Sequence, residues 1–215
     1  MQITRRHVGL ALGMATAVAL TAGALIASTQ TANADVVTND AAPLFSGVTS
    51  TGETVSLADY TGKTVVLEWT NHVCPFVQKH YDDSYSNMQT LQTNAAGDDV
   101  VWLSVISSAP GKQGHVTGEE ADELITSRGA APTAVILDES GEIGQLYGAK
   151  TTPHMFVITA DGSIAYQGAI DSIKSAKIRD IPKAENYVTA ALGAVAQGQP
   201  VETPSTRPYG CSVKY

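Results

Sequence analysis

The chain has 215 residues, 43% of them hydrophobic, with 13 Lys and Arg against 21 Asp and Glu for a formal net charge of −8. This length and apolar content suit one well-cored α/β domain, and so acidic a balance makes the chain a poor nucleic-acid binder. Only two cysteines occur, Cys74 and Cys211, and no His, Cys, Asp and Glu cluster has metal-ligand spacing, so neither a metal nor another cofactor is called for.

The first 34 residues read as an export signal. Arg5 and Arg6 form a positive start, Val8 to Ala27 is apolar, and Ala32-Asn33-Ala34 is a small-residue cleavage site before Asp35. Thr4-Arg5-Arg6-His7-Val8-Gly9-Leu10 also resembles a twin-arginine signal. Cleavage would remove two arginines and no acid, moving the charge to about −10. The expected location is periplasmic or secreted, where a disulfide persists. No later stretch is long and apolar enough to span a membrane.

A short polar lead, residues 35–42, precedes a hairpin built on Phe45, Val48, a Thr51-Gly52 turn, Val55 and Leu57. Val65 to Trp69 is a β-branched strand that runs through a polar turn into Cys74 and Pro75. Val77, Tyr81, Tyr85, Met88 and Leu91 then recur at helical spacing, which predicts one long helix closed near Ala95-Ala96-Gly97-Asp98. Val100 to Ile106 reads as a strand buried on both faces. Ser108 to Gly118 is a Gly/Pro-rich loop, Glu119 to Ser127 a helix with an acidic first turn, and Thr133 to Leu137 a third strand. Gly144 to Tyr147 is a short helical turn. Met155–Ile158 and Ser163–Tyr166 flank an Asp161-Gly162 hairpin turn, and Ala184 to Val195 is a last amphipathic helix. Residues 199–215 are a Pro/Thr-rich tail, expected to be flexible, that carries Cys211. The order predicts a mixed central sheet with helices on both faces and an N-terminal β-hairpin extension.

Cys74 is the most informative residue. It stands at a strand-to-helix turn before Pro75, where free backbone N–H groups and the helix dipole favour thiolate. His72, Lys79 and His80 lie near it in sequence and are read either as charge or proton helpers or as surface residues on a polar face.

Four features together resemble the thioredoxin superfamily, in the branch of exported redoxins that includes alkyl hydroperoxide reductase/thiol-specific antioxidant (AhpC/TSA)-like and TlpA/ResA-like proteins. They are Ala42-Pro43-x-Phe45, the Gly62-Lys63-x-Val-Val-Leu67 lead-in, Cys74 at its turn, and Thr152-Pro153 before a strand. The resemblance covers residues 43–197 and implies a thioredoxin-like fold, residues 35–198 forming the domain. It implies a cis Pro153 facing the reactive cysteine, with Thr152 and His154 lining the site and Glu68 as a buried proton relay of raised pKa; His72, for its nearness to Cys74 in sequence, joins Thr152 and Pro153 as a substrate-binding candidate. It also exposes two departures. Val77 stands where thioredoxins carry a second cysteine. In the peroxiredoxin Pro-x-x-x-Thr/Ser-x-x-Cys pattern, Leu67 and Asn71 replace the proline and the hydroxyl residue, with Thr70 one position away.

Cys211 therefore has three readings: a resolving cysteine for Cys74, a permanent Cys74–Cys211 bridge, or an intermolecular or free thiol. A permanent bridge closing so long a loop would contribute about 4–5 kcal/mol in the chain-entropy picture. The function expected is a thiol-dependent oxidoreductase acting on a thiol or disulfide partner or on peroxide, with Cys74, Cys211 and Glu68 as its catalytic residues. The rival is a non-enzymatic binding protein on the same scaffold with a structural bridge. The oligomeric state is not legible.

Overall fold

A computed structural model describes residues 36–96 and 99–215. The export signal, its cleavage site and the Gly97-Asp98 helix stop lie outside the described residues.

The elements run β1 (Ser46–Thr49), β2 (Thr54–Ser56), a 3-10 turn (Leu57–Tyr60), β3 (Thr64–Trp69), α1 (Pro75–Tyr81), α2 (Asn87–Ala95), β4 (Val100–Ile106) and α3 (Gly118–Ser127). They continue with β5 (Ala134–Leu137), α4 (Glu142–Leu146), β6 (Thr151–Thr152), β7 (His154–Ile158), β8 (Ile164–Gly168), a 3-10 stretch (Ile178–Lys183), α5 (Tyr187–Ala196) and β9 (Cys211–Ser212). Seven strands form one mixed sheet in the order β2-β1-β5-β4-β3-β7-β8. The β3–β4 and β4–β5 pairs are parallel; β7 joins β3 antiparallel, and β8 and the β1–β2 hairpin are antiparallel at the two edges.

The alternation along β3 assigns its two faces. Val65, Leu67 and Trp69 enter a core with Phe45, Ile136, Tyr147 and Phe156, on the side of α4 and the first 3-10 turn. Val66 points the other way, into a core with Val77, Met88, Trp102, Val157 and Val188, on the side of α1, α2 and α5. Glu68 shares that second face by strand parity. Each large side chain buried in these layers contributes about 1.5–3 kcal/mol.

One long helix after Cys74 is not what forms. The chain leaves helix at Asp82, which is extended, and re-enters it after Ser86, which is left-handed with φ 45°. Asp82 Oδ1 accepts the Ser84 N–H at 2.9 Å, an Asp-centred turn that competes with helical pairing. The apolar period continues across the break because Tyr81 and Met88 enter the same core. Periodicity therefore reported the shared face and missed the interruption.

The tail is not loose. Ser205 bridges to Gln167 of β8, Thr206 Oγ1 accepts the Ala169 N–H at 2.9 Å, and Cys211–Ser212 pair antiparallel with Thr152 and Thr151. The Ala109 N–H then donates to the Lys214 carbonyl, and the Tyr215 hydroxyl donates to the Ala149 carbonyl at 2.8 Å. Gly144 leaves the room that the Tyr215 ring fills; a Cβ there would stand 2.7 Å from the Tyr215 hydroxyl oxygen. Among the described residues no helix is long and apolar enough to cross a membrane.

Candidate redox site

Cys74 is the N-cap of α1, in extended backbone with φ −77°, and Pro75 starts the helix. Its carbonyl accepts the Val77 and Gln78 N–H groups, both at 2.9 Å, while its own N–H donates to the Asn71 carbonyl. The Asn71 side chain is committed to the turn. Its Oδ1 accepts the Val73 N–H at 3.0 Å and its Nδ2 donates to the Gln113 carbonyl at 3.1 Å. Asn71 thus braces the loop below the cysteine, and Val77 is a fully buried core residue.

The Thr152–Pro153 peptide is cis. The Cys74 thiol donates to the Thr152 carbonyl at 3.1 Å. Thr152 also pairs with Cys211 across the β6–β9 ladder, so one residue touches both cysteines. Gly210, with φ 140°, makes that approach feasible, because a Cβ there would collide with the Thr152 carbonyl oxygen. Both cysteines are free thiols. Cys211 packs against the buried cluster that contains Cys74.

Burial alone would raise the Cys74 pKa. The polar groups of Cys211 and the Val77 N–H outweigh it, and the net pKa lies below the usual thiol value. The Thr152 carbonyl contact belongs to the protonated form and is given up when the thiolate forms. Cys211 goes the other way: burial and the thiolate beside it push its thiol up to about 11, with Lys214 opposing. The proton and the negative charge are thereby distributed unequally between the two sulfurs.

Glu68 is fully buried on β3, on the helical side. It accepts from Tyr81 at 2.8 Å, Trp102 Nε1 at 2.9 Å, Ser104 at 3.1 Å and Gln92 Nε2 at 3.3 Å. Burial raises its pKa, and the hydrogen bonds from Trp102, Tyr81 and Ser104 only partly offset that. A small cleft of about 30 Å³ lined by Thr70, His72, Tyr81, Ser104 and Arg128 opens beside its partners. His72 faces this cleft, and its carbonyl accepts from Arg128 at 3.0 Å. Burial and Arg128 lower the His72 pKa, which leaves the ring neutral at physiological pH.

Lys79 and His80 are not on a polar surface; both are buried. Lys79 Nζ pairs with Asp171 Oδ2 at 2.9 Å, and Tyr209 on the tail donates its hydroxyl to Asp171 Oδ1. His80 Nε2 lies 3.7 Å from Asp171 and its Nδ1 meets Asn87. Burial and the adjacent Lys79 depress its pKa to about 3, so the ring is neutral. None of this cluster bonds to Cys74; it grips the tail two residues before Cys211. Sequence reading missed Asp171 and Tyr209, since neither carries a motif and their meeting depends on how the tail returns to the sheet.

The redoxin family profile matches residues 37–188, well over half of the chain. The chain belongs to the redoxin family. Its chemistry is thiol-dependent oxidoreduction at that level, and thiols or disulfides are the corresponding partners. Among solved structures it is similar to an uncharacterised conserved protein from Geobacillus kaustophilus, with 22% identity, TM-score 0.70, and 86% of this chain and 94% of that one covered. A hypothetical protein from Sinorhizobium meliloti gives 21% identity and TM-score 0.68, covering 86% and 97%. The thioredoxin domain of a thiol-disulfide oxidoreductase from Bacteroides vulgatus gives 16% identity and TM-score 0.50, covering 69% and 97%. These likenesses agree with the thioredoxin-like fold expected from the sequence. No curated protein matches the chain.

Proposed function

We propose that this redoxin is an exported thiol–disulfide oxidoreductase that cycles between a Cys74/Cys211 dithiol and a Cys74–Cys211 disulfide. Cys74 supplies the thiolate and Cys211 the second sulfur. One observation carries the reading: Thr152 pairs with Cys211 across the β6–β9 ladder while its carbonyl accepts the Cys74 thiol at 3.1 Å, so both cysteines meet at one residue. Proximity of this kind turns disulfide closure into an intramolecular step.

Thr152 and cis Pro153 are assigned to shaping the groove around the sulfurs, and His72, as a neutral ring, to the cleft beside the partners of Glu68. Glu68 is assigned to holding the proton exchanged with the site, supported by its burial and raised pKa. Peroxide is the weaker substrate class, because Asn71 stands where a hydroxyl would be needed and is spent on the loop.

Thiol titration of the intact chain through a series of glutathione buffers tests this. The expected result is loss of two titratable thiols on oxidation and their full return on mild reduction, abolished in Cys74→Ser and in Cys211→Ser. A bridge inert to mild reductant would leave a binding protein with a structural disulfide. Glu68→Gln should shift the pH profile of thiol exchange while the Cys74–Cys211 bridge still forms; an unchanged profile removes Glu68 from the proton path.

A further inference from the structure

The two sulfurs are unequally placed toward solvent. Cys74 is fully buried, at 0% exposure. The Thr152 carbonyl caps its sulfur, and Cys211, paired with Thr152, packs against the same cluster. Cys211 is only partly covered, on a two-residue strand at the surface of the tail. An external molecule therefore meets Cys211 first.

The cover is held at both ends. Before Cys211, Tyr209 donates to Asp171, which is paired with Lys79, and its ring packs edge-on against Phe76 at 5.8 Å. After it, the Val213 N–H donates to the Lys150 carbonyl, the Ala109 N–H to the Lys214 carbonyl, and the Tyr215 hydroxyl to the Ala149 carbonyl. The β6 edge is thereby used by the chain itself. An extended polypeptide could take the place of Cys211–Ser212 beside Thr151–Thr152 only by expelling β9. A small thiol needs no such displacement.

We propose that Cys211, not Cys74, is the sulfur that exchanges with the external redox partner, and that this partner is a low-molecular-weight thiol or its disulfide. The inference rests on the Cys74–Cys211 redox pair proposed above. In the reducing direction an external thiolate attacks Sγ of Cys211 in the bridge. The Cys74–Cys211 bond breaks, its electron pair leaves on Cys74 as thiolate, and a mixed disulfide forms on Cys211. A second external thiolate attacks the small-molecule sulfur of that mixed disulfide. It releases the small disulfide and the Cys211 thiolate, which takes up a proton. Two external thiols are oxidised and one protein disulfide is reduced. Run backwards, Cys211 thiolate opens a small disulfide, and buried Cys74 thiolate then closes the bridge and expels the second small thiolate. The Cys74 thiol, lower in pKa than that of Cys211, is the better leaving group, which favours this order of attack.

The test uses the full chain with glutathione disulfide as probe. Cys74→Ser and Cys211→Ser are exposed to it under native conditions, and adducts are counted by mass spectrometry. Cys74→Ser should acquire glutathione on Cys211 at least about tenfold faster than Cys211→Ser acquires it on Cys74. Because either variant could perturb the fold, the same order is read in the unaltered reduced chain by brief iodoacetamide labelling and peptide mapping, with Cys211 expected to carry the first label. Oxidised wild type should also be reduced faster by glutathione than by an extended peptide bearing one cysteine at equal concentration. Equal or faster modification of Cys74, or a faster peptide, overturns the proposal. Failure of the underlying reading is separately visible: wild type would then form no reversible bridge, whatever the order of labelling.

Discussion

Two buried carboxylates flank α1, and they are satisfied in different ways. Glu68 sits among neutral donors, with Tyr81, Trp102, Ser104 and Gln92 pointing at it, and Arg128 lies beyond the Tyr81 ring at 5.0 Å. Asp171 is held by a cation, Lys79, and by the Tyr209 hydroxyl. Neutral donors leave the desolvation of a charge only partly compensated, so burial wins and Glu68 takes a proton more readily than an ordinary carboxylate. A buried ion pair instead makes each partner depend on the other. One cluster is suited to exchange a proton; the other fixes a segment of chain in place. The second lies where the tail must be fixed for Cys211 to reach Cys74.

The largest effect should come from halving the ion pair. Lys79→Met leaves Asp171 buried without its cation and should cost about 3–5 kcal/mol of unfolding free energy, measured by denaturant titration. The double variant Lys79→Met/Asp171→Leu should recover a large part of that loss, because the uncompensated charge is gone. If the double variant were as unstable as the single one, packing rather than charge would explain the site.

Glu68→Gln should be milder, costing about 1–3 kcal/mol through a donor pattern the amide cannot fully accept. Its pH dependence separates the two clusters. The folded pKa of Glu68 is raised above the unfolded value of 4.5, so the folded state binds the proton more tightly. Wild type therefore loses stability as pH climbs from the unfolded value to the raised folded one, with no further loss above it. Glu68→Gln should lack that component, so its deficit relative to wild type should shrink with rising pH in this window. A deficit that grows would reverse the sign assigned to the Glu68 environment.

Tyr209→Phe should be smaller again, about 1–2 kcal/mol, since Asp171 keeps Lys79 and loses one charged hydrogen bond. Its informative readout is redox. With the tail less firmly seated, the Cys74–Cys211 bridge should form less completely in the same glutathione buffer. An unchanged bridge equilibrium would mean that β6–β9 pairing alone positions Cys211.

Much of this architecture was legible in the sequence because it rests on local signals. Continuous apolar runs gave β3 and β4, Asp161-Gly162 gave the β7–β8 turn, and Pro75 after Cys74 marked the start of a helix with a thiol at its cap. The break after Tyr81 was hidden because helical period persists across it. The tail was hidden for a different reason. Its pairing with β6 is a contact between residues far apart in sequence, and a two-residue strand leaves no period to detect. The burial of Lys79 and His80 was not legible, because charge suggests exposure until a partner such as Asp171 is known. The Cys74–Cys211 approach depended on both unseen features.

Lys183 and Asp180 provide the smallest effect and the sharpest control on the comparison. Their Nζ–Oδ1 separation is 3.0 Å, nearly that of Lys79 and Asp171, yet the Lys183 side chain is 60% exposed. Geometry is thus almost matched while solvent is not. At the surface, water screens both charges and replaces whichever partner is removed, so neither is stranded. Lys183→Ala should leave the melting temperature unchanged within error and should not alter the bridge equilibrium. A loss comparable to that of Lys79→Met would show that ion-pair distance, rather than desolvation, governs both sites. The distinction between a proton-exchanging Glu68 and a chain-fixing Asp171 would then lose its physical basis.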